Sequence, residues 1–225
     1  MKKIKLNSSN DTICAISTAP GRGAIAMIRI SGPQAIAVAE QVFEPAEKNL
    51  NISKMKGYSM IYGNLKDGEE LIDQVILGLF RAPHSYTCED VVEISCHGSP
   101  YIQQRIMETL INKGIRVAEP GEFTQRAFLN GRMDLSQAEA VADLIASTSK
   151  ASHKIALQQM RGGFSKKIEY LRQQLVDFAA LIELELDFSE EDVQFANREH
   201  LTELLNEIKS EIQGLIESFR LGNVL

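Results

Sequence analysis

An α+β domain followed by an all-α unit is the architecture this sequence predicts, and a change of periodicity carries the reading. Up to about residue 120, short apolar segments of period two alternate with turn signals, whereas beyond it apolar residues recur at spacings of three and four. Mixed short strands with two or three helices before the change imply an antiparallel or mixed sheet with helices on one side. The boundary so read separates residues 1–120 from residues 121–225.

Each element of the first unit has its own signal. Thr12 to Ser17 and Ala24 to Ser31 have strand composition, and Ser31, Gly32 and Pro33 then supply a helix start for Pro33 to Phe43. Tyr58 to Leu65 and Ile72 to Phe80 flank "KDGEE", whose Asp67-Gly68 pair favours a turn with positive φ, so the two segments pair as a hairpin. Asp90 to Cys96 is a further strand. Pro100 to Lys113 reads as a helix ended by Gly114, and Ile115 to Ala118 as a last strand.

Past Pro120 the pattern turns helical and stays so. Ser136 stands three residues before Glu139, the spacing of a capping box, which predicts a helix starting at Ser136. Ile168, Leu171, Leu175, Phe178 and Ile182 form one apolar stripe, and Leu201, Leu204, Leu205, Ile208, Ile212, Leu215, Ile216 and Phe219 another. Such stripes pack within a helical bundle. The acidic string "ELELDFSEEDVQF" between them reads as a solvated helix end and loop, with Ser189 as cap, rather than as a metal site.

Composition narrows the function classes. A net charge of -6 argues against a general polyanion binder, leaving only local basic patches. Three cysteines, Cys14, Cys88 and Cys96, lack any CxxC spacing and read as reduced thiols, without disulfide or zinc. The N-terminus has a basic start but no apolar h-region, and no run approaches membrane-span length, so a soluble, cytoplasmic protein without a membrane partner is expected.

"STAPGRGAIAMIRISG" raises the question of phosphate binding. A Walker loop needs GxxxxGK[ST] before a helix, and here a strand-like run without that lysine follows; no Walker sequence occurs elsewhere. The dinucleotide GxGxxG spacing fails as well. The glycines therefore read as a turn between two strands. Arg29 is different, because it interrupts a strand: Ile25, Met27 and Arg29 share one face, while Ala26, Ile28 and Ile30 share the other. Glu93 interrupts the "DVVEISCHGS" strand in the same way. Two accounts stand open. The charges neutralise each other, or each faces a polar ligand, the carboxylate accepting N–H bonds from a heterocycle and the guanidinium meeting a carbonyl or carboxylate.

Three blocks, "DTICAISTAPGRGAIAMIRISG", "SYTCEDVVEISCHGSP" and "RVAEPGEFTQRAFLNGRMDLSQAEAVADLI", resemble successive signatures of the MnmE (TrmE) family of tRNA modification GTPases. The resemblance implies an N-terminal domain related in fold to folate-dependent aminomethyltransferases, which dimerises and binds 5-formyl-tetrahydrofolate or a related tetrahydrofolate, followed by a helical domain interrupted by a Ras-like G domain. It places the family's folate-contacting residues on Arg29, Glu93 and Arg132, and assigns no catalytic residue and no metal ligand to this chain. It further implies a homodimer that hydrolyses GTP, with magnesium and potassium ions bound through the G domain. With the flavoprotein MnmG, such a dimer modifies carbon five of the tRNA wobble uridine. A stand-alone aminomethyltransferase-like enzyme and a purely structural dimerisation module are the alternatives.

Departures from the family pattern are equally specific. Cys88 stands where the family often has glycine in "SYTGED", and a nucleophilic role for it lacks a nearby base. His97, placed off the Glu93 face pattern and followed by Gly98, is expected to shape the strand-to-helix turn. The family's fourth folate contact, in a "CIGK"-type tail, has no counterpart here. The chain is expected to be a fragment that stops before the G domain, leaving the faces that carry Phe178 and Leu215 exposed or packed in a dimer.

Overall fold

The computed structural model describes residues 11–47, 50–187 and 198–222. They form two compact units, Met1–Met133 and Asp134–Leu225, dividing later than the change of periodicity at residue 120. The intervening stretch contains a helix that belongs to the first unit.

The first unit is built on a seven-stranded sheet in the order β3-β4-β5-β6-β2-β1-β7. Its strands are β1 (Ile13–Ile16), β2 (Ile25–Ser31), β3 (Phe43–Pro45), β4 (Ser59–Asp67), β5 (Glu70–Phe80), β6 (Val91–His97) and β7 (Arg116–Val117). All neighbours pair antiparallel except β1 and β7, which makes the sheet mixed. The expected hairpin is β4–β5, and Gly68 takes the positive φ its turn requires, +60°. The short β3 had no alternating pattern to announce it.

Helices α1 (Ala35–Val42) and α2 (Pro100–Asn112) cover one face of the sheet. Ala26, Ile28 and Ile30 from β2 and Val92, Ile94 and Cys96 from β6 meet Ile106 and Leu110 of α2 in one core cluster. Burial pushes the Cys14 and Cys96 thiols up to about 11, so both stay protonated packing groups. Helix α1 starts later than Pro33. Gly32, at φ +131°, is so close to the chain that a Cβ there would lie 2.7 Å from Asp11 O and from Thr12 Cα, and Gln34 N is held by Thr12 Oγ1 at 2.9 Å. The turn is tied to β1 before the helix can begin.

A third helix, α3 (Glu122–Leu129), is fastened by charge rather than by an apolar stripe. Arg126 Nη2 donates to Asp11 Oδ1 at 2.6 Å and to Glu122 Oε1 at 3.0 Å, while its Nη1 donates to Asp11 O and to Glu89 Oε1 at 3.2 Å. Arg116 Nε reaches Asp11 Oδ2 at 2.8 Å, and its Nη2 reaches Glu122 Oε1 at 2.6 Å. Glu122 also accepts the Glu119 N–H at 2.8 Å.

In the second unit α4 (Leu135–Ala146), α5 (Lys150–Met160), α6 (Gly163–Asp187) and α7 (Arg198–Gly222) follow in order. The capping box is not Ser136 with Glu139. Asp134 is the N-cap: its Oδ1 accepts from Gln137 N at 2.8 Å, and Gln137 Oε1 accepts from Asp134 N at 2.9 Å. An aspartate two residues upstream makes the same bond, and Ser136 lies inside the first turn, near Gln159 of α5. Leu171, Phe178 and Leu204 are buried, so Phe178 does not sit on an uncovered face. Ile168 and Ile182, and Leu205, Ile212 and Ile216 on α7, are exposed. Ser189 and the side chain of Leu215 lie outside the described residues.

The ion network makes the first unit acid-sensitive in a defined window. Burial works against ionised Glu122, but the hydrogen bonds from Arg116, Glu119 N–H and Arg126 outweigh it and hold the carboxyl at about 2, below its ordinary 4.5. A folded-state value below the unfolded one stabilises the fold above about pH 4.5, and that contribution is lost as pH falls toward 2. Asp11 is lowered too, its Arg116 and Arg126 bonds prevailing over burial. Urea unfolding of the first unit should weaken across this interval, and Glu122→Gln should flatten the dependence while costing about 2–4 kcal/mol at neutral pH. An acid limb equally steep in the variant would remove Glu122 from the account.

Candidate functional site

Among the described residues, the sheet face opposite α1 and α2 is covered at one end. There Ser31 Oγ lies 2.7 Å from Thr87 Oγ1 and donates to Glu89 Oε2 at 2.6 Å, which ties the loop before β6 onto β2. Arg126 grips the same Glu89, so loop and α3 form one cover. Tyr86 Oη and Thr124 Oγ1, 2.9 Å apart, join them again, as does Asn130 Nδ2 donating to Thr87 O at 2.7 Å.

Arg29 and Glu93 lie at the edge of this cover. They are direct register partners on β2 and β6, as antiparallel pairing of the two interrupted strands requires. Their side chains are 22% and 20% exposed, so the pair is half-sheltered rather than sealed inside the sheet. Arg29 Nε donates to Glu93 Oε1 at 2.9 Å, and Nη2 stands 2.7 Å from the same oxygen. The account in which the two charges meet is therefore what the geometry shows. It is incomplete as neutralisation, however. Both guanidinium nitrogens converge on one carboxylate oxygen, and among the described residues neither Glu93 Oε2 nor Arg29 Nη1 makes a hydrogen bond. An unused acceptor on Glu93 and unused donors on Arg29 are left on a partly open surface.

Aromatic rings frame the pair. The Arg29 Cζ lies 5.1 Å from the Tyr86 ring centre and 5.5 Å from that of Phe123, within cation–π range. On the Glu93 side, Gly78 of β5 is its register partner, and Phe80 packs edge-to-face against Tyr58 with ring centres 5.9 Å apart. Beyond the pair the face is open and apolar, with Ile25, Met60, Tyr62 and Ile76 exposed.

Arg132 is not brought into this arrangement. It follows α3, is exposed, and its side chain makes no hydrogen bond or ion pair among the described residues, although its N–H is held by Ala127 O at 2.9 Å. His97 needs correction. It lies on the face of Glu93, two and four residues along β6 from Ser95 and Glu93, and it does more than shape a turn. Its Nδ1 is 2.7 Å from Asp73 Oδ1, and its N–H donates to Asp73 Oδ2 at 2.8 Å. Asp73 and the rings of Tyr86 and Phe123 went unread in the sequence, because each acts through a partner more than 20 residues away. Of the "GRG" glycines, Gly23 lies in a close backbone approach, its N–H donating to Gly98 O at 3.1 Å where a Cβ on Gly98 would lie 2.4 Å from Gly23 O, while Gly21 takes a φ of +122° in open space. Among the described residues no cluster of His, Cys, Asp or Glu is set to hold a metal ion. No described helix is long and apolar enough to cross a membrane.

Sheet, cover and half-satisfied ion pair, followed by a helical unit, define a class: a mixed-sheet α+β domain with a candidate polar-ligand site, joined to an all-α domain. Sequence comparison makes the class specific. Residues 12–132 match the family described as the GTP-binding protein TrmE N-terminus, and residues 135–225 match the MnmE helical domain. The chain belongs to the TrmE/MnmE family. It is 58% identical over 217 residues to a protein of Bacteroides thetaiotaomicron, covering 96% of this chain and 46% of the relative. Its identity to a Parabacteroides distasonis protein is 55% over 216 residues (95% and 47%), and to one of Porphyromonas gingivalis 53% over 221 residues (98% and 47%). All three relatives are named tRNA modification GTPase MnmE, and the chain spans about half the length of each.

Cys88 is the departure from the family pattern with a physical consequence. It occupies the left-handed region at φ +61°, where glycine carries no steric penalty and any Cβ does. Relief of that strain, partly offset by glycine's larger unfolded-state entropy, predicts that Cys88→Gly stabilises the first unit by about 0.5–1 kcal/mol. Denaturant midpoints would show this as an upward shift; a downward one would mean that the cysteine side chain contributes packing worth more than the strain.

Proposed function

We propose that this chain is the tetrahydrofolate-binding and dimerising portion of a tRNA modification GTPase. The observation that carries the folate reading is the half-sheltered Arg29–Glu93 pair, which leaves Glu93 Oε2 and Arg29 Nη1 unused and is flanked by the rings of Tyr86 and Phe123 on an open sheet face. A reduced pterin has ring N–H donors that suit a carboxylate and a ring carbonyl that suits a guanidinium, on a flat body that suits aromatic walls. The residues present therefore fit the cofactor. Glu93 and Arg29 would hold its ring, and Arg132, whose side chain has no hydrogen bond or ion pair among the described residues, would complete the set. When bound, 5-formyl-tetrahydrofolate supplies a one-carbon unit.

The names of the relatives support a GTP-hydrolysing, tRNA-modifying whole protein, and the resemblance of the three sequence blocks supports the finer reading that follows. In the whole protein, GTP hydrolysis, with magnesium and potassium ions in a separate G domain, is coupled to modification of carbon five of the tRNA wobble uridine, with MnmG as partner. The exposed Ile25, Met60, Tyr62 and Ile76 give a second copy of this domain an apolar surface to cover, which supports a homodimer. The rival reading, a structural module in which Arg29 and Glu93 only neutralise each other, draws on their direct bond.

Calorimetric titration with 5-formyl-tetrahydrofolate separates the two. Glu93→Gln should weaken binding by about tenfold or more, through loss of a charged acceptor, while shifting stability by about 1 kcal/mol or less at this partly exposed pair. A stability loss of several kcal/mol with unchanged affinity would establish the structural role instead.

A further inference from the structure

We propose that the cations of α5 and of the start of α6 form the surface on which the helical unit holds the phosphate backbone of an RNA substrate, with Tyr170 stacking on an unpaired base. The inference rests on the tRNA-modifying reading and goes beyond it by naming the contact surface. Charge is segregated along the chain. Between Asp143 and Asp177 stand six of its 24 lysines and arginines but only one of its 30 acidic residues, Glu169, although the whole carries a net charge of -6. The six, Lys150, Lys154, Arg161, Lys166, Lys167 and Arg172, are all exposed. Lys167 pairs with Glu211 of α7, and the other five side chains make no hydrogen bond or ion pair among the described residues.

Helical geometry sorts these cations. Lys154 and Arg161 follow Lys150 by four and eleven positions, which at 3.6 residues per turn returns each to within about 40° of one line running roughly 16 Å along α5. Ala156 and Gln159 lie opposite that line and are buried, Gln159 Nε2 donating to Ser136 O of α4 at 3.2 Å, so the cations occupy the side of α5 turned away from α4. On α6, Tyr170 follows Lys166 by four positions and Lys167 by three, which sets it on their face, and it is 57% exposed. A face that served only to solvate its helix would follow the helix dipole, which favours acidic residues in a first turn. Neither helix has one there: Lys150 opens α5, and Lys166 and Lys167 stand at the end of the first turn of α6. Helix stability therefore does not account for their placement.

Unpaired cations beside an exposed ring fit a single strand or loop of nucleic acid, because each cation can displace a counterion from a phosphate while the ring stacks on a base. The cations alone would suit an acidic peptide or an anionic lipid surface equally well. The ring, and relatives named for tRNA modification, favour RNA.

Fluorescence-anisotropy titration of the chain with an unmodified tRNA transcript over a range of salt concentrations tests the surface, with a fully paired RNA duplex, a polyglutamate peptide and phosphatidylserine vesicles as comparison partners. Phosphate contacts by Lys150, Lys154, Arg161 and Lys166 predict that log K falls with log salt at a slope of about -3. The triple variant Lys150→Gln, Lys154→Gln, Arg161→Gln should reduce that slope to about -1 and bind tRNA about tenfold or more weakly at physiological salt. Its melting temperature should hold or rise, since Lys150→Gln removes a cation from a helix start. Lys150→Arg with Lys154→Arg keeps both charges and should bind like the unaltered chain. Tyr170→Ala should weaken tRNA binding about fivefold or more and leave duplex binding unchanged, whereas Tyr170→Phe should retain both. An unchanged affinity and slope in the folded triple variant would overturn this surface and leave the tRNA-modifying reading intact; no tRNA binding by the unaltered chain at low salt would count against both. Vesicles or polyglutamate bound more tightly than tRNA would overturn the RNA assignment in favour of a membrane or an acidic protein.

Discussion

Arg126 is the constraint on which the first unit depends. Its side chain, 9% exposed, meets carboxylates from three separate stretches, Asp11 before β1, Glu89 in the loop before β6, and Glu122 at the start of α3. A sheltered guanidinium left without partners would cost several kcal/mol, so the three segments are stabilised only together. Arg116 bridges Asp11 and Glu122 a second time, which leaves three carboxylates shared between two cations. Such a network contributes little net energy compared with apolar packing. Its effect is positional: it settles where a short helix lies when hydrophobic area alone would not.

That position has a chemical consequence a few ångströms away. The cover fixed by Arg126 brings Tyr86 and Phe123 to Arg29, and closes the sheet face at Ser31 while leaving it open from Arg29 onward. The same cover shields the ion pair enough to strengthen its electrostatics without sealing it from a ligand. A fully buried pair would have to satisfy every polar atom internally. A fully exposed one would be screened. Half-shelter is the condition under which a direct bond between Arg29 and Glu93 and an available edge for a ligand coexist.

Much of the fold was legible in residue order. Alternation identified β2, β5 and β6 and separated the faces of Arg29 and Glu93 from those of Ile28 and Ile94, because strand periodicity is local; which face carries the core was decided by the structure. The Asp67-Gly68 turn and the end of α2 near Gly114 followed from backbone chemistry as local as the residues themselves. The candidate Arg132 was legible only by resemblance, and its side chain has no bond among the described residues by which the fold would have revealed it. The capping box was misplaced by two residues because Ser136 and Asp134 satisfy the same hydrogen-bond rule, and only the course of the chain selects between them.

Sequence by itself determined the α+β and all-α division, the strand faces, the free thiols and the family to which the chain belongs, since each follows from local periodicity, composition or contiguous motifs. Tertiary structure alone decided that Arg29 and Glu93 bond through a single oxygen, that two rings stand against the guanidinium, that His97 pairs with Asp73, and that α3 joins the sheet. The physical reason is distance along the chain. Asp11 and Arg126 lie 115 positions apart and Arg29 and Glu93 lie 64 apart, so those bonds exist only once the sheet has set its register.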